Sequence, residues 1–149
     1  MKLRPATPAD SPALAEVHAA AFDEPWPAAD ISRFAADRGG FALAVEDEIG
    51  AVAGFILCRM MAGEAEVLTL AVRPAARRQG IARALLTAAM SLAEASATAM
   101  FLEVAADNPG AVALYEQAGF ERVGRRAGYY GRAEAPSVDA LVMRRALNS

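Results

Sequence analysis

Residues 72–90 read VRPAARRQGIARALLTAAM, and the fold turns on how they are interpreted. Ile81, Leu85, Ala88 and Leu92 recur at helical spacing, so an amphipathic helix is expected to begin near Gly80. Arg77, Arg78 and Arg83 crowd that start. A helix N-terminus carries partial positive charge and ordinarily favours Asp or Glu. A bound anion resolves the conflict, because the exposed N–H groups, the dipole and the arginines then act on one partner. Gly80 allows close backbone approach. A solvated arginine patch is the other reading that charge alone leaves open.

Working outward, Ala65–Val72 is apolar on both faces apart from Glu66 and Thr69, as expected of a covered central strand. Two strands precede it, in FALAVEDEIGAVAGFILCRMM, with turn signals at Asp47–Gly50 and Ala62–Glu64. Before them lie a short first strand in KLRPAT, a helix carrying Leu14, Val17 and Ala21, and a second helix with Ile31, Phe34 and Ala35 inward. After the arginine-led helix come a buried strand, AMFLEVAAD, and a helix in NPGAVALYEQAG with Asn108 as N-cap and Pro109 at its first position. FERVGRRAGYY and SVDALVMRRAL close the chain as an antiparallel pair. The order β-α-α-β-β-β-α-β-α-β-β predicts an α/β (α+β) fold with a mixed, mostly antiparallel sheet. The unit from Ala65 to Asp107 is expected as a right-handed parallel crossover. That puts the arginines at the carboxyl end of a central strand, where open α/β sheets bind ligands.

The 149 residues suit one domain, 1–149, and 55% hydrophobic with 22% charged residues is a globular profile. A net charge of −3 argues against direct nucleic-acid binding, which needs a basic face. Cys58 is the only cysteine, so no internal disulfide forms and a reducing compartment is expected. MKLRPATPADSPALAEV has no apolar signal core and no run approaches a membrane span, which points to a cytoplasmic protein. Neither a P-loop nor a GxGxxG fingerprint is present. No His/Cys/carboxylate spacing suggests a metal.

Glu103 interrupts the apolar run MFLEVAA. Burying it unpaired would be costly, so the pattern allows a solvent-facing or arginine-paired residue as well as a catalytic one. Tyr115 shares helical spacing with Ala111, Val112 and Ala118, which fits core packing as well as catalysis. His18, the sole histidine, lies far in sequence from these segments and reads as a surface or partly buried residue. Cys58 reads as a buried strand thiol. Trp26, Tyr129 and Tyr130 are the exposed-aromatic candidates.

The stretch Arg77-x-x-Gly80-x-Ala82 resembles the acetyl-coenzyme-A motif of the GNAT superfamily of N-acetyltransferases. FDEPWP, LTLAVRPAARRQGIARALL, FLEVAADNPGAVALYEQAGF, RVGRRAGYY and DALVM carry a further likeness to its RimI-like ribosomal-protein alanine N-acetyltransferases. Ala82 stands where glycine is common, a change the motif tolerates.

The resemblance implies a sheet whose two central parallel strands splay apart. The acetyl-CoA pyrophosphate would sit on Arg77, Arg78, Gln79, Gly80, Ile81, Ala82 and Arg83, and the pantetheine on the edge of Leu70, Ala71 and Val72. It also implies coenzyme contact at Asn108, a general base at Glu103 and a general acid at Tyr115. Trp26, Tyr129 and Tyr130 would flank a slot for a protein N-terminus, the N-terminal alanine of a small-subunit ribosomal protein. Small-molecule amine acetylation on the same fold, or a non-catalytic acyl-CoA sensor, are the rival functions.

Overall fold

The computed structural model describes residues 1–132 and 135–147, with backbone alone at 130–132, 135 and 136. The strands are β1 (Lys2–Pro5), β2 (Gly40–Glu46), β3 (Val52–Met61), β4 (Glu64–Val72), β5 (Ala99–Ala105), β6 (Glu121–Arg132) and β7 (Ala135–Ala146). The helices are α1 (Ser11–Ala21), α2 (Ala28–Ala36), α3 (Ile81–Ala93) and α4 (Pro109–Gln117). They succeed one another in the expected order. The strands form one sheet in the order β1-β2-β3-β4-β5-β7-β6, antiparallel except for the β4–β5 pair. Inserting β7 between β5 and β6 satisfies β5 along its whole length, from Ala99↔Ala146 to Ala105↔Ala140.

Two apolar layers cover the two sheet faces. On one, Ile81, Leu85, Leu86 and Ala89 of α3 and Val112 and Tyr115 of α4 pack on Ile56, Cys58 and Val67. On the other, Leu14 and Val17 of α1 and Ile31 of α2 pack on Ala44, Phe55 and Leu57. Full burial of each large side chain contributes about 1.5–3 kcal/mol relative to exposure. The inward stripe of α3 differs from the sequence expectation. Ala89 and Ala93 are fully buried, while Leu92 is half exposed and Ala88 only partly covered. Alanines on both sides of the helix made either stripe acceptable; packing against β3 and β4 selects the i, i+4 row.

β4 carries the feature that creates the site. Its pairing with β3 runs Leu57↔Thr69 and then Cys58↔Val67, so Leu68 is an extra residue, a β-bulge. A bulge bends its strand and reverses the facing of the residues beyond it. Ala65 and Val67 accordingly pack on the α3 side, whereas Leu68 and Ala71 pack on the α1 side. At the same point the β4–β5 pairing stops, its last pair being Val67↔Leu102. The two parallel strands splay beyond it, leaving the β5-facing edge of Leu68–Val72 available to a ligand.

Gly54 on β3 explains how α3 approaches that edge. A Cβ there would lie 3.0 Å from the Ala71 carbonyl oxygen and 3.1 Å from both Ile81 Cγ2 and Val72 Cγ2. Gly54→Val must therefore push the first turn of α3 off the sheet. We expect a loss of about 1–3 kcal/mol in stability, as for overpacked cores, together with weaker acetyl-CoA binding. Thermal melting and calorimetric titration with acetyl-CoA check the two effects.

Candidate active site

Two cavities open on either side of the splay. The smaller, about 540 Å³, lies between the β4 edge and the start of α3. Leu70, Ala71, Val72, Arg77, Arg78, Gly80, Ile81, Ala82, Arg83 and Asn108 all line it. Gln79 lies in the same loop and is not among the lining residues. The loop begins with a short 3-10 turn at Pro74–Ala76, so Arg77 and Arg78 precede α3 rather than belonging to it. Arg78 takes φ 66° and Gly80 φ 76°. The left-handed conformation is unfavourable for an arginine, and strain of this kind gathers at ligand sites. Gly80 has open space where a Cβ would stand, so the backbone angle rather than crowding calls for glycine. Arg83 donates to Gln117 Oε1, tying the first turn of α3 to the end of α4.

The larger cavity, about 700 Å³, lies on the α1–α2 side. Trp26, Glu103 and Tyr129 line it together with His18, Phe34 and Thr69. The half-buried ion pair Arg59–Glu66, at 2.9 Å, also contributes to its wall. The side chain of Tyr130 lies outside the described residues; its backbone pairs with Val138. Phe22, Leu70, Asn108, Ala111 and Tyr115 line both cavities, so the two spaces meet at these residues.

Glu103 reaches its place because β5 alternates: Leu102 and Val104 enter the α3-side core and Glu103 takes the opposite face. Its side chain is 17% exposed, Oε1 pairs with Arg126 Nη2 at 3.0 Å, and Oε2 is buried. Arg126 also lies over the Tyr129 ring, 5.2 Å from its centroid. Glu103 is thus arginine-paired, one of the readings its pattern allowed, and stands in the wall of the larger cavity at the same time. Tyr115 is 8% exposed and meets Phe120 edge-on at 5.9 Å, a packed ring that still reaches the junction. Asn108 accepts from the Ala111 N–H at 3.2 Å as the N-cap of α4, and lines both cavities as well.

His18 departs from the expectation of a surface or partly buried residue: it is 2% exposed and lines the larger cavity. Sequence reasoning missed it because its partner on β4, Thr69, is 51 residues away and no spacing joins the two. Cys58 is fully buried in the α3-side core, and burial raises its thiol pKa. It lines neither cavity. Among the described residues, no group of three His, Cys or carboxylate side chains is placed to hold a metal, and no helix is long and apolar enough to cross a membrane.

A splayed parallel pair, a cationic left-handed loop at a helix start and two cavities joined at a tyrosine define an acyltransferase architecture. The chain belongs to the Acetyltransferase (GNAT) family, whose model matches residues 11–120, and the class is that of acetyl-CoA-dependent N-acetyltransferases. It is 37% identical over 145 residues to the N-alpha-acetyltransferase RimI of Mycobacterium tuberculosis, covering 93% of this chain and 88% of that protein. The crystal structure of the ribosomal-protein-S18-alanine N-acetyltransferase of Escherichia coli superposes with a TM-score of 0.92 at 27% identity, covering 99% of this chain and 94% of that one. An uncharacterized Mycobacterium leprae protein is 39% identical over 144 residues; the chain spans only 39% of its length. The smaller cavity fits acetyl-CoA on its own terms: an apolar strand edge runs into exposed amides and arginines suited to a thioester arm ending in phosphates.

Proposed function

We propose that residues 1–149 form one acetyltransferase domain that acetylates the α-amine of a protein N-terminus, and that its natural acceptor is the N-terminal alanine of a small-subunit ribosomal protein. The observation that carries this reading is the junction of the two cavities at Tyr115, with Glu103 facing the acceptor side. The names of the Mycobacterium tuberculosis and Escherichia coli relatives support the α-amine and the ribosomal alanine respectively. A ribosomal acceptor also implies work in the cytoplasm.

Bound acetyl-CoA supplies the activated acetyl thioester. Leu70–Val72 and the loop Arg77–Arg83 hold it; the Arg73 N–H is committed to the Ala53 carbonyl of β3 at 2.8 Å, so strand alternation turns the Val72 N–H to the open edge, where it donates to the thioester carbonyl. Glu103 removes a proton from the incoming ammonium, directly or through water, and Tyr115 returns one to the departing thiolate. Transfer forms the nitrogen–acetyl bond as the carbon–sulfur bond breaks. An α-amine has a pKa of about 7.8 against about 10.4 for lysine, so its deprotonation at neutral pH costs about 3.5 kcal/mol less. A carboxylate of modest basicity therefore suffices for an N-terminus.

The test is mass spectrometry after incubation with acetyl-CoA and a short peptide that copies a ribosomal-protein N-terminus beginning with alanine. An N-blocked, lysine-containing version, a polyamine and a free amino acid run beside it. Acetylation of the free α-amine alone supports the reading. Transfer only to polyamines or amino acids replaces it with small-amine acetylation, and tight acetyl-CoA binding with no acceptor at all revives the sensor.

A further inference from the structure

His18 ties together three parts of the acceptor side: the end of α1 at Phe22, the α1–α2 loop at Trp26, and Thr69 of β4, which is 51 residues away in sequence. Its ring stacks on Phe22, with centroids 4.4 Å apart and planes at 20°. Nδ1 accepts the backbone N–H of Trp26 at 3.1 Å. Nε2 stands 3.0 Å from Thr69 Oγ1. A backbone amide can only donate, so Nδ1 carries no proton, and the neutral ring bears it on Nε2 and donates to Thr69. Burial lowers the pKa of His18 to about 4, which keeps the ring neutral and lets both bonds coexist near neutral pH.

Each partner has a place in the site. Phe22 is exposed at the junction and lines both cavities, and Trp26 walls the larger one. Thr69 meets His18 only because the Leu68 bulge turns it onto the α1 face. The distortion that opens β4 for acetyl-CoA thus also provides the anchor for the α1–α2 loop.

We propose that His18 is the positioning residue of the acceptor cavity: through Phe22 and Trp26 it holds the α1–α2 loop against β4 and so sets acceptor affinity. This rests on the reading of the larger cavity as the acceptor site. His18 acts through its neighbours, and the α-amine proton is left to Glu103.

Two of the measurements need no acceptor. Trp26 and His18 are the only tryptophan and the only histidine in the chain, so both give single signals. Long-range ¹H–¹⁵N spectra of the imidazole near neutral pH are expected to show the neutral Nε2–H tautomer. Acrylamide quenching of Trp26 is expected to increase in His18→Ala and to return toward wild type in His18→Asn, whose Oδ1 can take the place of Nδ1. In steady-state kinetics, His18→Ala raises the acceptor KM about tenfold while the acetyl-CoA KM changes less than about twofold, a uniform-binding loss confined to one substrate.

The kinetics run with an alanine-initiated peptide and with a diamine. If wild type uses only the diamine, the α-amine reading fails, and His18 is judged on the diamine KM and on Trp26 quenching. An Nδ1–H tautomer overturns the proposal. So does unchanged quenching in His18→Ala, or equal loss of both KM values with no rescue by asparagine, which would make His18 a core residue only.

Discussion

Glu103→Gln lowers kcat by about 10²–10³-fold and leaves the acetyl-CoA KM nearly unchanged, the size expected when a positioned base is removed. The substitution keeps the shape of the side chain and a carbonyl oxygen toward Arg126 Nη2, so the contact at 3.0 Å is weakened rather than abolished. The carboxylate that can accept the ammonium proton is lost. The defect should shrink as pH rises and the free amine becomes more abundant in solution, since less deprotonation is then asked of the enzyme. A pH profile of kcat/KM for both proteins checks this. If Glu103 served only to hold Arg126 and the β6 wall, the variant would show raised acceptor KM, unaltered kcat and no pH-dependent recovery.

Tyr115→Phe is expected to lower kcat by about 10²-fold through loss of the leaving-group proton. The ring is 8% exposed and packed edge-on against Phe120 at 5.9 Å, and phenylalanine preserves that packing. Melting temperature should therefore move by only a few degrees, the equivalent of about 1 kcal/mol for a chain of this size. Stability and kcat separate the two readings of this residue that its spacing leaves open. A large drop in melting temperature with little change in kcat would make Tyr115 a core residue that happens to border both cavities.

The elements of this fold are legible where local chemistry decides them. Asp47 and Gly50 mark the β2–β3 turn, Asn108 and Pro109 open α4, and the apolar run before Arg73 forms the covered strand β4. Helix faces in alanine-rich segments are less legible, as Leu92 shows, because small residues on several faces leave the stripe to tertiary packing. The placement of β7 between β5 and β6 depends on which long-range pairs satisfy β5, and no local period encodes that choice. The Leu68 bulge belongs to the same class. EVLTLAV gives no glycine or turn residue to mark it, yet it decides which way Thr69 faces.

The candidate site divides along the same line. The loop from Arg77 to Arg83 announces itself by charge in the wrong place for a helix start, and Glu103 by polarity in an apolar strand. His18 carries no such signal. A histidine between Val17 and Ala19 is ordinary until the bulge and the loop are in place around it. Its only trace in the sequence is the aromatic pair Phe22 and Trp26 a turn or two beyond, which spacing alone does not join to it.

The proposed reaction puts the donor and the acceptor in separate cavities that meet at Tyr115. A crystal structure with a bisubstrate, in which coenzyme A is joined through an acetyl bridge to the α-nitrogen of an alanine-initiated peptide, tests it most directly. Pantetheine is expected along Leu70–Val72, phosphates on the amides of Arg78–Arg83, the linking atoms between Glu103 and Tyr115, and the peptide beneath Phe22 and Trp26. A peptide leaving the junction on any other side, with the larger cavity empty, would contradict it.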